Sequence, residues 1–183
     1  MKTFSLIACA VIVSVMFSAV VCSAGINEDL ISAIEKNDIK KIKELIAKGA
    51  DVNKRNERGT TPLMIAAMME RPEAARLLIE KGAEVNTAEP DGWTALTFAI
   101  EAGQIKIVQL LIEKGANIHV KDMFGWTPLM HAASVGDAAI VKMLLDKGAD
   151  INVKSLKGDT ALSIAEREKK KDVVTLLQKT GAK

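Results

Sequence analysis

The sequence predicts an all-α repeat solenoid, and three observations carry that fold class. Gly-Ala pairs stand at 49, 82, 115, 148 and 181, each 33 residues after the last. The phrase Gly-x-Thr-x-Leu begins at Gly59, Gly92, Gly125 and Gly158, on the same period. Between them run apolar residues at helical spacing, such as Val108, Leu111 and Ile112, or Val141, Leu144 and Leu145. Two independent phrases locked to one period identify a tandem array of small units. None of these units buries its apolar face without neighbours.

In chain order, residues 1–24 read as something other than domain. Lys2 gives a basic start, Phe4 to Val21 is almost wholly apolar, and Cys22-Ser23-Ala24 supplies small residues for a peptidase. That is the pattern of a secretory signal peptide, with cleavage expected after Ala24. The other reading is an uncleaved membrane anchor, because about 18 apolar residues just span a bilayer. A lipoprotein signal fits less well, since Val21 is bulky where a small residue belongs before Cys22. Both cysteines, Cys9 and Cys22, fall in this segment. A chain starting at 25 therefore has no disulfide and rests on packing alone.

An N-terminal capping repeat is expected over 26–55, with Asn27 as helix N-cap and Glu28 and Asp29 favouring the first turn. Repeats follow at 56–88, 89–121 and 122–154. Each opens on a turn whose glycine takes a positive φ, as in Asn56-Glu57-Arg58-Gly59 and Asp122-Met123-Phe124-Gly125. Thr61, Thr94, Thr127 and Thr160 stand at N-caps, and Pro62 and Pro128 fill the first helical position, where a missing N–H costs nothing. Leu63, Leu96, Leu129 and Leu162 head a short helix, and Ala66, Ala99, Ala132 and Ala165 let such helices approach closely. A second helix ends at the Gly-Ala pair, where glycine suits a left-handed C-cap. The unit 155–183 is a C-terminal cap, with Glu166 where the others have Ala67 and Ala133, and Gln178 where they have Ile112 and Leu145. Lys169-Lys170-Lys171 there reads as a solvated turn.

The phrases "GTTPLMIAA", "GWTALTFAI", "GWTPLMHAA" and "GDTALSIAE", with "LLIEKGAEVN" and "MLLDKGADIN", resemble the ankyrin repeat over residues 26–183. The resemblance implies L-shaped units whose hairpins project from stacked helix pairs to form a curved solenoid. One departure is consistent. The family's usual histidine after Pro-Leu is replaced by Met64, Thr97, Met130 and Ser163, which puts in doubt the inter-repeat hydrogen bonds such histidines make.

Charge and composition narrow the function. Without Lys2, the 25 basic residues become 24, against 23 acidic, a net charge near +1. That balance excludes a typical nucleic-acid binder and gives no reason for an anionic membrane partner. His131 takes the inner-helix position of Ile65, Phe98 and Ile164 and reads as a packed histidine. His119 takes the loop position of Asn53, Asn86 and Asn152 and reads as a turn-capping residue. Neither has a third ligand at metal spacing. No nucleophile elbow or phosphate-binding glycine loop occurs, so no catalytic residue, metal or cofactor is expected.

Such solenoids bind partners along the face formed by hairpin tips and inner helices. The candidate partner-binding residues on it are Arg58, Met68, Met69, Asp91, Trp93, Met123, Phe124, Trp126 and Leu156. Trp and Met are enriched where proteins grip partners, although each indole could equally brace a neighbouring hairpin. The function expected is an exported, monomeric protein-interaction module, periplasmic or secreted, without catalysis. The alternative is a structural or stress-protection protein of the cell envelope, supporting another exported protein, for example a redox enzyme. Six methionines after residue 24 would make either oxidant-sensitive.

Overall fold

The computed structural model describes residues 25–182. The signal-peptide and anchor readings of 1–24 lie outside the described residues. The helices are α1 (25–35), α2 (Ile39–Ala47), α3 (Pro62–Met68), α4 (Pro72–Glu80), α5 (Ala95–Glu101), α6 (Ile105–Glu113), α7 (Pro128–Val135), α8 (Ala138–Asp146), α9 (Ala161–Arg167) and α10 (Lys171–Lys179). Among the described residues the only strand-like pairing is one isolated bridge, Ala88 with Thr94. The fold is all-helical.

Two helical layers stack along the chain. The inner layer packs α3 on α5, α5 on α7 and α7 on α9; the outer packs α4 on α6, α6 on α8 and α8 on α10. Close approach in the inner layer follows from side-chain size: Ala66, Ala99, Ala132 and Ala165 are completely buried at its contacts. Leu63, Leu96 and Leu129 fill the space between layers, each no more than 1% exposed. The outer helices bury one stripe only, for example Ile107, Val108, Leu110 and Leu111 of α6, and turn charge to solvent.

The predicted caps form. Thr61, Thr94, Thr127 and Thr160 each accept the N–H three residues on, at 3.2–3.4 Å. The residues replacing the family histidine turn inward to the same cap. Ser163 Oγ accepts the Thr160 N–H at 2.9 Å, Met64 Sδ accepts that of Thr61 at 3.4 Å, and Thr97 Oγ1 lies 3.3 Å from Thr94 Oγ1. None of these three bonds crosses to another repeat.

Two expectations need correction. Asn27 does not cap α1, which is already helical at 25. Its Oδ1 instead accepts the Asp51 N–H at 2.8 Å, tying the first helix to the loop after α2 in a unit that has no hairpin of its own. His119 does not do what Asn53 and Asn86 do at the same position. Asn53 bridges to the next repeat through Gly82 O and the Glu84 N–H, and Asn86 through Gly115 O and the Asn117 N–H. A primary amide offers a donor and an acceptor side by side. The exposed imidazole of His119 makes neither bond.

Candidate functional site

Four hairpin tips project from the inner layer, and each closes by a bond between its first and last residues: Asn56 to Thr60, Glu89 to Trp93, Asp122 to Trp126, and Ser155 to Asp159, at 2.8–3.0 Å. The last three are also joined edge to edge. The Met123 N–H donates to Asp91 O at 2.7 Å, and that of Leu156 to Phe124 O at 3.0 Å. The hairpins approach so closely that a Cβ on Gly92 would lie 2.7 Å from Asp122 Cα. Glycine is needed at 92 both for that gap and for its φ of +90°.

Beneath the tips, His131 on α7 is 4% exposed and is held on all sides. Its Nδ1 is 2.6 Å from Glu101 Oε1, at the end of α5, and its Nε2 is 3.1 Å from Asp122 Oδ2, at the base of its own hairpin. The Trp93 and Trp126 rings each meet the imidazole edge-on, with centroids 5.3 Å away, and Trp93 also packs on Phe98 at 5.0 Å. Edge-to-face ring pairs of this kind contribute about 0.5–1.5 kcal/mol beyond burial. A ring with a proton on each nitrogen donates to both carboxylates, whereas a neutral ring presents a lone pair to one of them. Both ring nitrogens are engaged within the chain. Glu101 and Asp122 sit on opposite edges of the ring, so the three groups do not converge on a point where a metal could bind.

Beside this cluster runs an open groove of about 640 Å³, lined by Trp93, Trp126, Phe124, Leu156, Lys157 and Arg167 together with Glu101, Asp122, His131 and Asp159. Arg167 donates to Asp159 at 3.2 Å and to Glu168 at 3.4 Å. The Glu168 bond first, and then that to Asp159, pushes its guanidinium further above the ordinary arginine value. Phe124 is 55% exposed, Met123 59% and Leu156 80%.

The structure therefore brings Trp93, Phe124, Trp126 and Leu156 to one groove, with Met123 on the adjoining tip. Asp91 is half-buried and shapes its own turn, its Oδ1 accepting the Trp93 N–H at 3.2 Å. Arg58 lines a separate groove of about 460 Å³ beside the first repeat, and Met68 and Met69 are exposed at the end of α3. The tryptophans do not project freely. Both are half-buried, and Trp126 packs on the core. They brace their surroundings as well as line the groove, because the His131 ring fills the space between them. Sequence reasoning placed His131 in the core but missed that it organises the site.

The family model for ankyrin repeats in three copies matches residues 30–122 and 119–183. The chain belongs to the ankyrin-repeat family. Such repeats are generally protein–protein interaction modules and typically non-catalytic. No curated protein matches this ankyrin-repeat chain. Among its described residues no helix is long and apolar enough to cross a membrane.

Proposed function

We propose that this protein is an exported interaction module that binds a partner protein through the concave face of its hairpins and inner helices, without catalysis. The observation that carries this reading is the cluster of exposed Met123, Phe124 and Leu156 at the rim of the tryptophan-lined groove. Large apolar side chains left together in water are characteristic of binding surfaces. The signal-like segment supports export to the periplasm or beyond, and the near-neutral charge supports a protein partner over nucleic acid. The module is proposed to act as a monomer.

The test is affinity capture from the native compartment with wild-type protein and three variants. Phe124→Ala should weaken capture by on the order of 2 kcal/mol with no change in melting, because its side chain is mostly in water. Trp93→Ala and Trp126→Ala should weaken it as much, and should also lower stability by roughly 1–3 kcal/mol, because each ring packs on His131. Unchanged capture by all three would remove the concave face from consideration.

A second reading is supported by exposed Met68, Met69 and Met123. A stress-protection role in the envelope would couple partner capture to methionine oxidation, which makes these side chains polar. Capture that changes after peroxide treatment and returns with methionine sulfoxide reductase would favour it.

A further inference from the structure

The tryptophan-lined groove repeats with the array. It crosses three successive hairpins and takes an apolar ridge from each: Trp93 from the first, Phe124 and Trp126 from the second, and Leu156 from the third. These hairpins lead into α5, α7 and α9, which pack directly on one another. Helices in contact lie about 8–10 Å apart, so the ridges recur at that interval. Charge does not favour an occupant of either sign, because Glu101, Asp122 and Asp159 stand against Lys157 and Arg167, with His131 set between the first two. The hydrogen-bonding groups are less even. Neither indole N–H has an acceptor among the described residues, and no side-chain nitrogen there is both shut from water and unpartnered, so both indoles reach solvent. An indole nitrogen donates and never accepts. The three carboxylates, by contrast, are each paired within the chain. What the groove leaves unfilled is donors set in apolar walls.

We infer that the groove receives a neutral, proline-rich segment of the partner protein in the polyproline II conformation, its apolar side chains seated between the ridges and its carbonyls accepting from the Nε1–H groups of Trp93 and Trp126. The inference rests on the concave-face reading and adds the conformation and chemistry of what is bound. Spacing and donors each point to it. Polyproline II turns once in three residues, about 9 Å, so the same edge returns at every ridge. A β-strand returns a face about every 6.7 Å and falls out of step. A helix matches the interval over two turns, but its carbonyls are spent on its own N–H groups, and laying it on the indoles would strand two donors. Polyproline II has no internal hydrogen bonds, so its carbonyls are free. Proline also brings no N–H that would need an acceptor here.

The chain carries a reporter for the test, since its two tryptophans both line this groove. Three capped peptides of equal length, all with Gln-Ser ends, are titrated against the protein while tryptophan emission is followed. One is built of Pro-Leu-Pro triplets, one of Ala-Leu-Ala triplets, and one of Pro-Ser-Pro triplets. The Pro-Leu-Pro peptide is expected to change the emission saturably. It should bind about tenfold more tightly than either of the others, being both preorganised and apolar. Trp93→Phe and Trp126→Phe keep a ring against His131 and remove the donor. Each should weaken the Pro-Leu-Pro peptide about fivefold in calorimetry, as the loss of one hydrogen bond does. Leu156→Ser, at a side chain 80% exposed, should weaken it with an unchanged melt.

Equal or tighter binding of the Ala-Leu-Ala peptide overturns the polyproline assignment in favour of a helical segment and leaves the concave-face interaction standing. Undiminished binding by the two tryptophan variants overturns it too, as does silence from all three peptides. A dimer in sedimentation that Leu156→Ser dissociates overturns it in favour of a second copy of this chain. The concave-face reading falls separately, on capture that ignores the Phe124, Trp93 and Trp126 variants.

Discussion

The hairpins at 56–60 and 122–126 share one frame and meet their neighbours in different ways. Asn56 Oδ1 accepts the N–H groups of Arg58 and Thr60 at 2.9 and 3.0 Å; Asp122 Oδ1 accepts those of Phe124 and Trp126 at 2.9 and 2.8 Å. The later hairpin is then tied to its neighbours by backbone, through Met123 to Asp91 and Leu156 to Phe124. One period earlier the donor would be residue 90, which is proline and has no N–H. The junction there is made by side chains, with Thr60 Oγ1 donating to Glu89 Oε1 at 2.5 Å. The inner helix below differs too, with Ile65 at one and His131 at the other. The repeat frame dictates that units stack, while residues at its free positions decide how each junction is held and what it presents.

The largest effect should come from filling the gap between hairpins. Gly92→Ala and Gly59→Ala both force an L-residue to a φ near +90°, costing roughly 1–3 kcal/mol. At Gly92 the added Cβ also meets the backbone of Asp122 at 2.7 Å, whereas at Gly59 it meets the Pro90 ring at 3.0 Å. Displacing packed backbone should add about 1–3 kcal/mol at Gly92. Urea denaturation of the two variants compares them directly, and equal losses would erase the distinction between the junctions.

The next test converts the later junction toward the earlier one. His131→Ile should cost about 1–3 kcal/mol by leaving the buried Asp122 Oδ2 without a donor. Adding Asp122→Asn restores the Asn56 and Ile65 combination and should recover most of that loss, because a neutral amide replaces the stranded carboxylate while its oxygen still caps the turn. A double-mutant cycle measures the coupling. Simple additivity would mean that the pair acts independently.

Pro90→Ala runs the conversion the other way. The variant gains a donor toward Arg58 O and loses the rigidity of proline, so net stability should move by less than about 1 kcal/mol. Its signature is a slowly exchanging amide at 90, and fast exchange there would show that the hairpin register does not extend to this junction.

The smallest effect lies away from both junctions. Hydrogen bonds from Lys48, then Lys41, hold the Glu44 carboxyl below the usual carboxylate range. A carboxyl depressed in the folded state adds stability above its unfolded value and loses it as pH falls through the lower folded one. Glu44→Gln should therefore flatten Tm slightly against pH in the acid range, with little change at neutrality, since the pair is exposed.

Most of the fold was legible in advance because its signals are local. Thr61 caps a helix through a residue three places away, and Gly-Ala ends one within a single turn. The candidate face was legible in part. Phe124 and Leu156 were found from their positions in the repeat and do line the groove. Met68 and Arg58 were named by the same rule and lie elsewhere, because repeat register gives a face without saying where along it a groove opens. Asn27 was misread because its partner, Asp51, is 24 residues away.

The sequence by itself determined the 33-residue period, the caps, the all-helical solenoid and the polar ends, since each depends on neighbours within a turn or on one repeated spacing. Only the tertiary structure decided what surrounds His131. Glu101 precedes it by 30 residues and Asp122 by nine, separations that match no helical or strand period. They meet because stacking sets the end of one inner helix, the base of the next hairpin and two indoles around a single side chain. That packing also decided that the tryptophans are half-buried braces as well as groove walls, and that Lys157 is left to face outward.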